Sequence, residues 1–251
     1  MRERMAKPYA AKIEWHRWSK RERSLVSDLF AGQHASKLRC QTCGFTSTTY
    51  EAFFSISIEI PRSGTGNIYD CLRSYCSEER LAGDEVWKCP NCKKEREATK
   101  QITLTRAPRY LVIHFKRFSA GHHESARKVR TPIEFPLNGL DITPFMLPPP
   151  TPEEERRAAK ERPSDSTVQD VASDPSMKPP FIYHAYAVMR HIGNTLSSGH
   201  YISLVKDPGR GCWRQFNDDR VNDFDHKGLA PSSRLQNEQA YIVFYERDDG
   251  R

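Results

Sequence analysis

Long apolar runs are missing from this 251-residue chain. A helix that crosses a bilayer needs about twenty consecutive apolar residues, so no membrane insertion is expected. The opening Met1 to Lys7 mixes charges of both signs and leads into no hydrophobic segment, which is not the pattern of a secretory signal. Cysteine is sparse as well, seven residues with none before Cys40. An intracellular chain of this length keeps its thiols reduced, which argues against a disulfide framework and leaves free thiols or metal ligands. The expectation is an intracellular protein, cytoplasmic or nuclear. Charge is abundant by contrast, with a formal net charge of +7. Arg17, Lys20, Arg21 and Arg23 suggest a patch for a polyanion, but Glu14, Glu22 and Asp28 break the run. It reads as a solvated helix face, and nucleic acid is not expected as a partner.

The periodicity gives an α+β chain dominated by antiparallel strands. Trp18, Leu25, Val26, Leu29 and Phe30 fall at near-helical spacing before Gly32, predicting an amphipathic helix over 19–31. Phe54, Ile56, Ile58 and Ile60 alternate with polar residues up to Pro61, the pattern of a half-buried strand. Asn67 with Asp70 three residues on starts a second helix that runs towards Gly83 and holds Cys71 and Cys76 in its packing. Further strands are expected over 101–105, 110–118, 182–190, 201–206, 213–216 and 241–245, rich in β-branched and aromatic residues. Between Pro148 and Pro180 large apolar residues almost vanish, so this stretch is expected to be a disordered insertion within a domain.

Two Cys-x-x-Cys knuckles stand out, Cys40-Gln41-Thr42-Cys43 and Cys89-Pro90-Asn91-Cys92. Each places two thiolates on one side of a tight turn, and four thiolates close a tetrahedral zinc shell with no position left for water. The expected cofactor is therefore a structural Zn2+ ion that contributes folding free energy rather than chemistry.

Gly199-His200-Tyr201 places a histidine at a turn-to-strand junction, and one hairpin later the chain reaches Phe216-Asn217-Asp218-Asp219. The hairpin brings His200 and Asn217 together, so that the carboxamide accepts an imidazole N–H and fixes the ring tautomer. That is the base and its orienting group from a Cys-His-Asn arrangement.

With these residues in hand, the chain closely resembles the ubiquitin-specific protease family. The resemblance is carried by LVSDLFAGQHASKLRCQTCGFTSTTYEAFFSISIEIP over 25–61, the second knuckle over 86–92, YLVIHFKRF over 110–118, SGHYISLVKD, CWRQFNDDRV and AYIVFYER. It implies a papain-like right hand with zinc-ribbon fingers over 37–105, a palm over 106–147 and 181–247, and a thumb largely missing. It also implies cleavage of the isopeptide bond after ubiquitin's C-terminal glycine, with ubiquitin and ubiquitinated proteins as partners. His200 would be the general base, Asn217 the third triad member and Asp218 a polar group near the oxyanion. The family's nucleophile heads a thumb helix in a Gly-Asn-Thr-Cys-type segment, and no such segment occurs in these 251 residues. The readings open at this point are part of a deubiquitinase, inactive by itself, a non-catalytic ubiquitin-binding scaffold, and a zinc-ribbon nucleic-acid binder.

Overall fold

A computed structural model gives the fold and describes all residues except 1–4, 63, 119–127, 162–170, 172, 196–197, 225–233 and 249–251. In chain order the described elements open with helices α1 (Lys7–Glu22) and α2 (Leu25–Phe30). Strands β1 (Gly32–Cys40), β2 (Thr46–Phe53), β3 (Ile56–Ile58) and β4 (Gly66–Asn67) lead to α3 (Ile68–Tyr75). Next come β5 (Glu78–Leu81), β6 (Trp87–Cys89), β7 (Lys94–Arg96), β8 (Ala98–Arg106) and β9 (Tyr110–Phe115). Strands β10 (Ile133–Pro136) and β11 (Leu140–Asp141) precede α4 (Pro152–Glu161). The chain closes with β12 (Ile182–Ile192), β13 (His200–Asp207), β14 (Cys212–Asn217), β15 (Arg220–Phe224), β16 (Arg234–Asn237) and β17 (Ala240–Arg247).

These elements form two compact units, residues 1–54, 76–109 and 143–181 in the first and 55–75, 110–142 and 182–251 in the second. The first unit holds a four-stranded sheet in the order β2-β1-β8-β5 and the β6–β7 ribbon. The second is built on a sheet ordered β15-β14-β13-β12-β17-β9-β3, with β11 pairing β12, and a smaller sheet β16-β10-β4. Pairing is antiparallel throughout except for β3 with β9 and β4 with β10. Leu111, Ile113 and Phe115 of β9 alternate inward and are buried with Ile56, Ile58, Val243 and Tyr245. Each aliphatic or aromatic side chain fully withdrawn from water in this way contributes roughly 1.5–3 kcal/mol.

Several expectations are corrected by the packing. The helix expected over 19–31 is two helices, because Arg23 turns extended and Ser24 caps α2 by accepting from Ser27 N at 3.1 Å. Leu25 and Val26, read as part of a buried stripe, are 75% and 58% exposed, and Gly32 opens β1 instead of closing a helix. The strand expected from Phe54 shortens to β3. Phe54 turns outward and meets Trp18 edge-on at 6.3 Å between ring centres. Asn67 caps α3 as expected, its Oδ1 accepting from Asp70 N at 2.9 Å, but the helix stops at Tyr75 and the chain enters β5, where Glu78 pairs with Gln101 of β8.

The finger range 37–105 is likewise interrupted. Residues 55–75 belong to the second unit, because β3 hydrogen-bonds to β9 and β4 to β10. Of the stretch 148–180, expected to be disordered, residues 162–170 and 172 lie outside the described residues, and the described part carries α4 with its N-terminal turn held by Thr151 and Glu154, whose Oε2 accepts from Thr151 N at 2.8 Å. Val171 and Met177 are buried against Tyr9 and Ala11 of α1. Scarce apolar residues suffice here because α1 brings an apolar face of its own to them. At the far end of this excursion the pairs Leu140↔Tyr183 and Asp141↔Ile182 join β11 to β12. Among the described residues no helix is long and apolar enough to cross a membrane.

Candidate active site and metal centre

The histidine stands at the first residue of β13, and β14 ends at Asn217 beside it. Between these strands the register Ser203↔Phe216 to Asp207↔Cys212 closes the hairpin. Asn217 Oδ1 accepts a hydrogen bond from His200 Nε2 at 2.5 Å. A carboxamide oxygen only accepts, so Nε2 carries the proton and the neutral ring keeps its lone pair on Nδ1. The fold thus presets the tautomer in which Nδ1 can take a proton from a thiol. Asp218 follows in the two-residue turn between β14 and β15, in the left-handed region at φ 52° that aspartate tolerates. Its Oδ2 lies 3.9 Å from His200 Nε2, on the Asn217 side of the ring, and its side chain is 77% exposed.

Two buried features of the second unit were missed by the sequence reading. His191 of β12 is buried, pairs with Tyr201 across the β12–β13 ladder and meets the rings of Phe118 and Tyr201 edge-on at 5.2 and 4.9 Å. Burial, then the charge of Lys128, lowers its pKa, which keeps it neutral. Its Nε2 and Cε1 stand against Gly199, where a Cβ would lie 2.2 Å from Nε2, so only glycine fits before His200. Arg117 is fully buried and donates from Nε to Ala240 O at 2.5 Å and from Nη1 to Val129 O and Thr131 O at 3.0 and 2.9 Å. It ties the chain after β9 to the start of β17. Neither partnership is readable from local pattern, since the bonds span up to 123 residues of sequence.

Cysteine chemistry does not complete the pair within this chain. The Cys71 and Cys76 thiols are pushed up to about 11, chiefly by burial, and so stay protonated at neutral pH. Cys212 begins β14 at the opposite end from Asn217, five residues and roughly 17 Å away at the rise of an extended strand. Ser197 of the expected histidine segment lies outside the described residues.

The other four cysteines come together. Cys40, Cys43, Cys89 and Cys92 bring all four Sγ atoms within 4.8 Å of one another, with Cys43 and Cys89 at 3.7 Å. Sulfurs at the corners of a tetrahedron with bonds of about 2.3 Å stand about 3.8 Å apart, so the donor set fits one tetrahedral ion. The turns that aim them are closed by Gly44 N to Cys40 O at 3.0 Å and Lys93 N to Cys89 O at 2.8 Å. Gly44 takes φ 70°, as a tight knuckle requires. A hydrogen bond from the Asn91 side chain, then one from the Phe45 backbone, brings the Cys43 thiol down to about 6. These donors favour the thiolate that a metal needs.

With both centres laid out, comparison with known proteins places the chain. Residues 2–245 match the sequence profile of the family described as Ubiquitin carboxyl-terminal hydrolase. The chain belongs to that family. It is 38% identical over 250 residues to Ubiquitin carboxyl-terminal hydrolase 5 of Saccharomyces cerevisiae, covering 98% of this chain and 28% of that protein. With Ubiquitin carboxyl-terminal hydrolase 2 of Gallus gallus it shares 36% identity over 234 residues, 92% of this chain and 56% of that one. The first of these relatives, like others from yeasts, is matched over only about a quarter of its length. Among solved structures, the SAGA Ubp8/Sgf11/Sus1/Sgf73 DUB module bound to ubiquitin aldehyde contains a chain that superposes with a TM-score of 0.67. It is 26% identical, and the match covers 92% of this chain and 44% of that one. The mixed, mostly antiparallel fold read from sequence is thus the fold of family members, and the clustered cysteines are a site able to hold a metal ion.

Proposed function

We propose that this chain supplies the base, the orienting amide and the zinc ribbon of a thiol-dependent hydrolase that cleaves the isopeptide bond at the C-terminus of ubiquitin. The observation that carries the reading is the 2.5 Å bond between His200 Nε2 and Asn217 Oδ1, which leaves Nδ1 as a base. In the proposed reaction Nδ1 takes the thiol proton, and the thiolate attacks the carbonyl carbon of ubiquitin's terminal glycine. The imidazolium then returns its proton to the departing amine, and water releases ubiquitin from the thioester. Asn217 holds the ring throughout. Asp218, for which a polar role near the oxyanion is proposed, stands at the same end of the hairpin, its Oδ2 3.9 Å from His200 Nε2. The nucleophilic thiol is expected from polypeptide outside these 251 residues, since Cys71 and Cys76 are held protonated, Cys212 begins β14 at the end away from Asn217, and the other four cysteines form the metal site. We read the ion of the four-cysteine site as zinc, in keeping with four thiolate ligands and no open position.

The test joins this chain to a Gly-Asn-Thr-Cys segment of the family type and follows release of a fluorophore from the C-terminus of ubiquitin. Turnover is expected, reduced on the order of a thousandfold or more by His200→Ala and less by Asn217→Ala. The lack of a suitable thiol favours a second reading, a non-catalytic ubiquitin-binding scaffold. A joined protein that binds ubiquitin yet stays inert would establish that reading in place of the first.

A further inference from the structure

The first unit, which does not contain His200, carries a half-open cavity of about 760 Å³. Its size is that of a ligand site. One wall is the face of the sheet that carries Thr46, Thr48 and Tyr50, alternate residues of β2, together with Lys37 of β1, which stands directly opposite Thr48. A second wall is the start of α1, and the third is the segment from Leu147 through the first turns of α4.

Positive charge converges on this space from three elements. Lys37, Lys7 and Arg157 all line it, and among the described residues none of them forms an ion pair. The N-terminus of α1 opens onto it too. That helix has 16 residues, its N-cap Ala6 makes no side-chain cap bond, and its first turn holds no acidic residue. Pro8 has no N–H and Tyr9 N donates to Ala6 O at 3.1 Å, so this end adds a dipole and no free pair of donors, and Glu154 and Glu155 of α4 lie near Tyr9. The one carboxylate in the lining, Glu154, accepts from Thr151 N and Thr151 Oγ1 at 2.8 and 3.2 Å. It is engaged in starting α4, and the cavity keeps an excess of positive charge. The remaining lining is apolar or hydroxylic, with Pro8, Leu147, Pro148, Pro149 and Tyr50 contributing to it. A small inorganic anion would use the charge and waste that wall, whereas a peptide uses both.

We propose that this cavity is a docking site for an acidic peptide segment, its carboxylates held by Lys7, Lys37 and Arg157, and its backbone lying on the proline and tyrosine wall. Its lining includes neither the base nor a metal ligand, so it would recruit or position a partner without entering the chemistry.

The test titrates a fluorescein-labelled hexapeptide of alternating Glu and Leu, and its Gln counterpart, into the full zinc-loaded chain by fluorescence anisotropy. The acidic peptide is expected to bind at least about tenfold more tightly, with affinity falling as salt rises. Arg157→Glu, at an exposed position, and Lys37→Glu should each weaken it about tenfold or more, with unchanged circular dichroism melting showing that the fold is intact. His200→Ala should leave it unaltered. Equal binding of the two peptides would overturn the proposal, as would wild-type affinity in a folded Arg157→Glu variant. Displacement of the peptide by inorganic phosphate at a similar concentration would reduce the site to a simple anion hole and overturn it as well.

Discussion

At the scale of single residues, the geometry around His200 depends on a neighbour with no side chain. A methyl group at position 199 would stand 2.2 Å from His191 Nε2 and 2.9 Å from Ile192 O. Gly199→Ala must therefore displace either the buried ring or the strand end that carries His200. Overpacking of this kind costs about 1–3 kcal/mol, and the joined enzyme should lose activity well beyond that loss of stability, measured as kcat against urea midpoint. Burial also lowers the pKa of His191 and His114, with Lys128 and Lys116 adding to it. The folded chain then binds fewer protons than the unfolded chain below about pH 6.5, the ordinary histidine value, so stability falls as pH drops through that value. Melting at pH 7.5 and 5.5 should show a lower Tm in acid, with a smaller drop in His191→Phe; an equal drop would assign the acid sensitivity elsewhere. His200 and Asn217 were legible in the sequence because one hairpin joins them. His191 was not, since its neighbours Phe118 and Tyr241 lie far away along the chain.

At the scale of elements, the cysteine knuckles were legible for the same reason of locality: each is a four-residue turn whose purpose is written in its spacing. What joins the two knuckles is the sheet, where Arg39 and Cys40 of β1 pair with Thr99 and Ala98 of β8, and this had to be seen. One zinc per chain is expected by mass spectrometry, falling to nearly none in Cys89→Ala. Removing the metal with a strong chelator should also disturb the stacked pair Phe45 and Trp87, 6.3 Å apart, and shift tryptophan emission. Metal-free protein with unaltered emission and melting would remove the structural role. Helix ends were less legible. The break at Arg23 follows from Ser24 and Ser27 bonding reciprocally, a box closed by serine where glutamate is the usual signal. Arg117 illustrates the same blindness to distance. Arg117→Leu would leave the carbonyls of Ala240, Val129 and Thr131 without their donor and is expected to cost about 3 kcal/mol or more, read from the urea midpoint.

At the scale of the whole molecule, the proposed function predicts that the zinc-loaded chain binds ubiquitin by titration calorimetry and that His200→Ala binds equally well, because the base is needed only for bond breaking. Absence of heat with folded protein would count against both readings of the function. The division into units was the least legible feature. Residues 55–75 look continuous with the fingers in sequence, yet parallel pairing with β9 and β10 claims them for the second unit. The chain crosses between units five times, after residues 54, 75, 109, 142 and 181. The last excursion leaves and returns at neighbouring points of one ladder, Asp141 opposite Ile182. Its two ends already stand where a tight turn would place them, so the strand register that carries His200 does not depend on the length of the segment between them. Shortening it would be felt in the first unit instead, where Val171 and Met177 fill the apolar face of α1, and is expected to lower the melting temperature while the His200 hairpin stays in register.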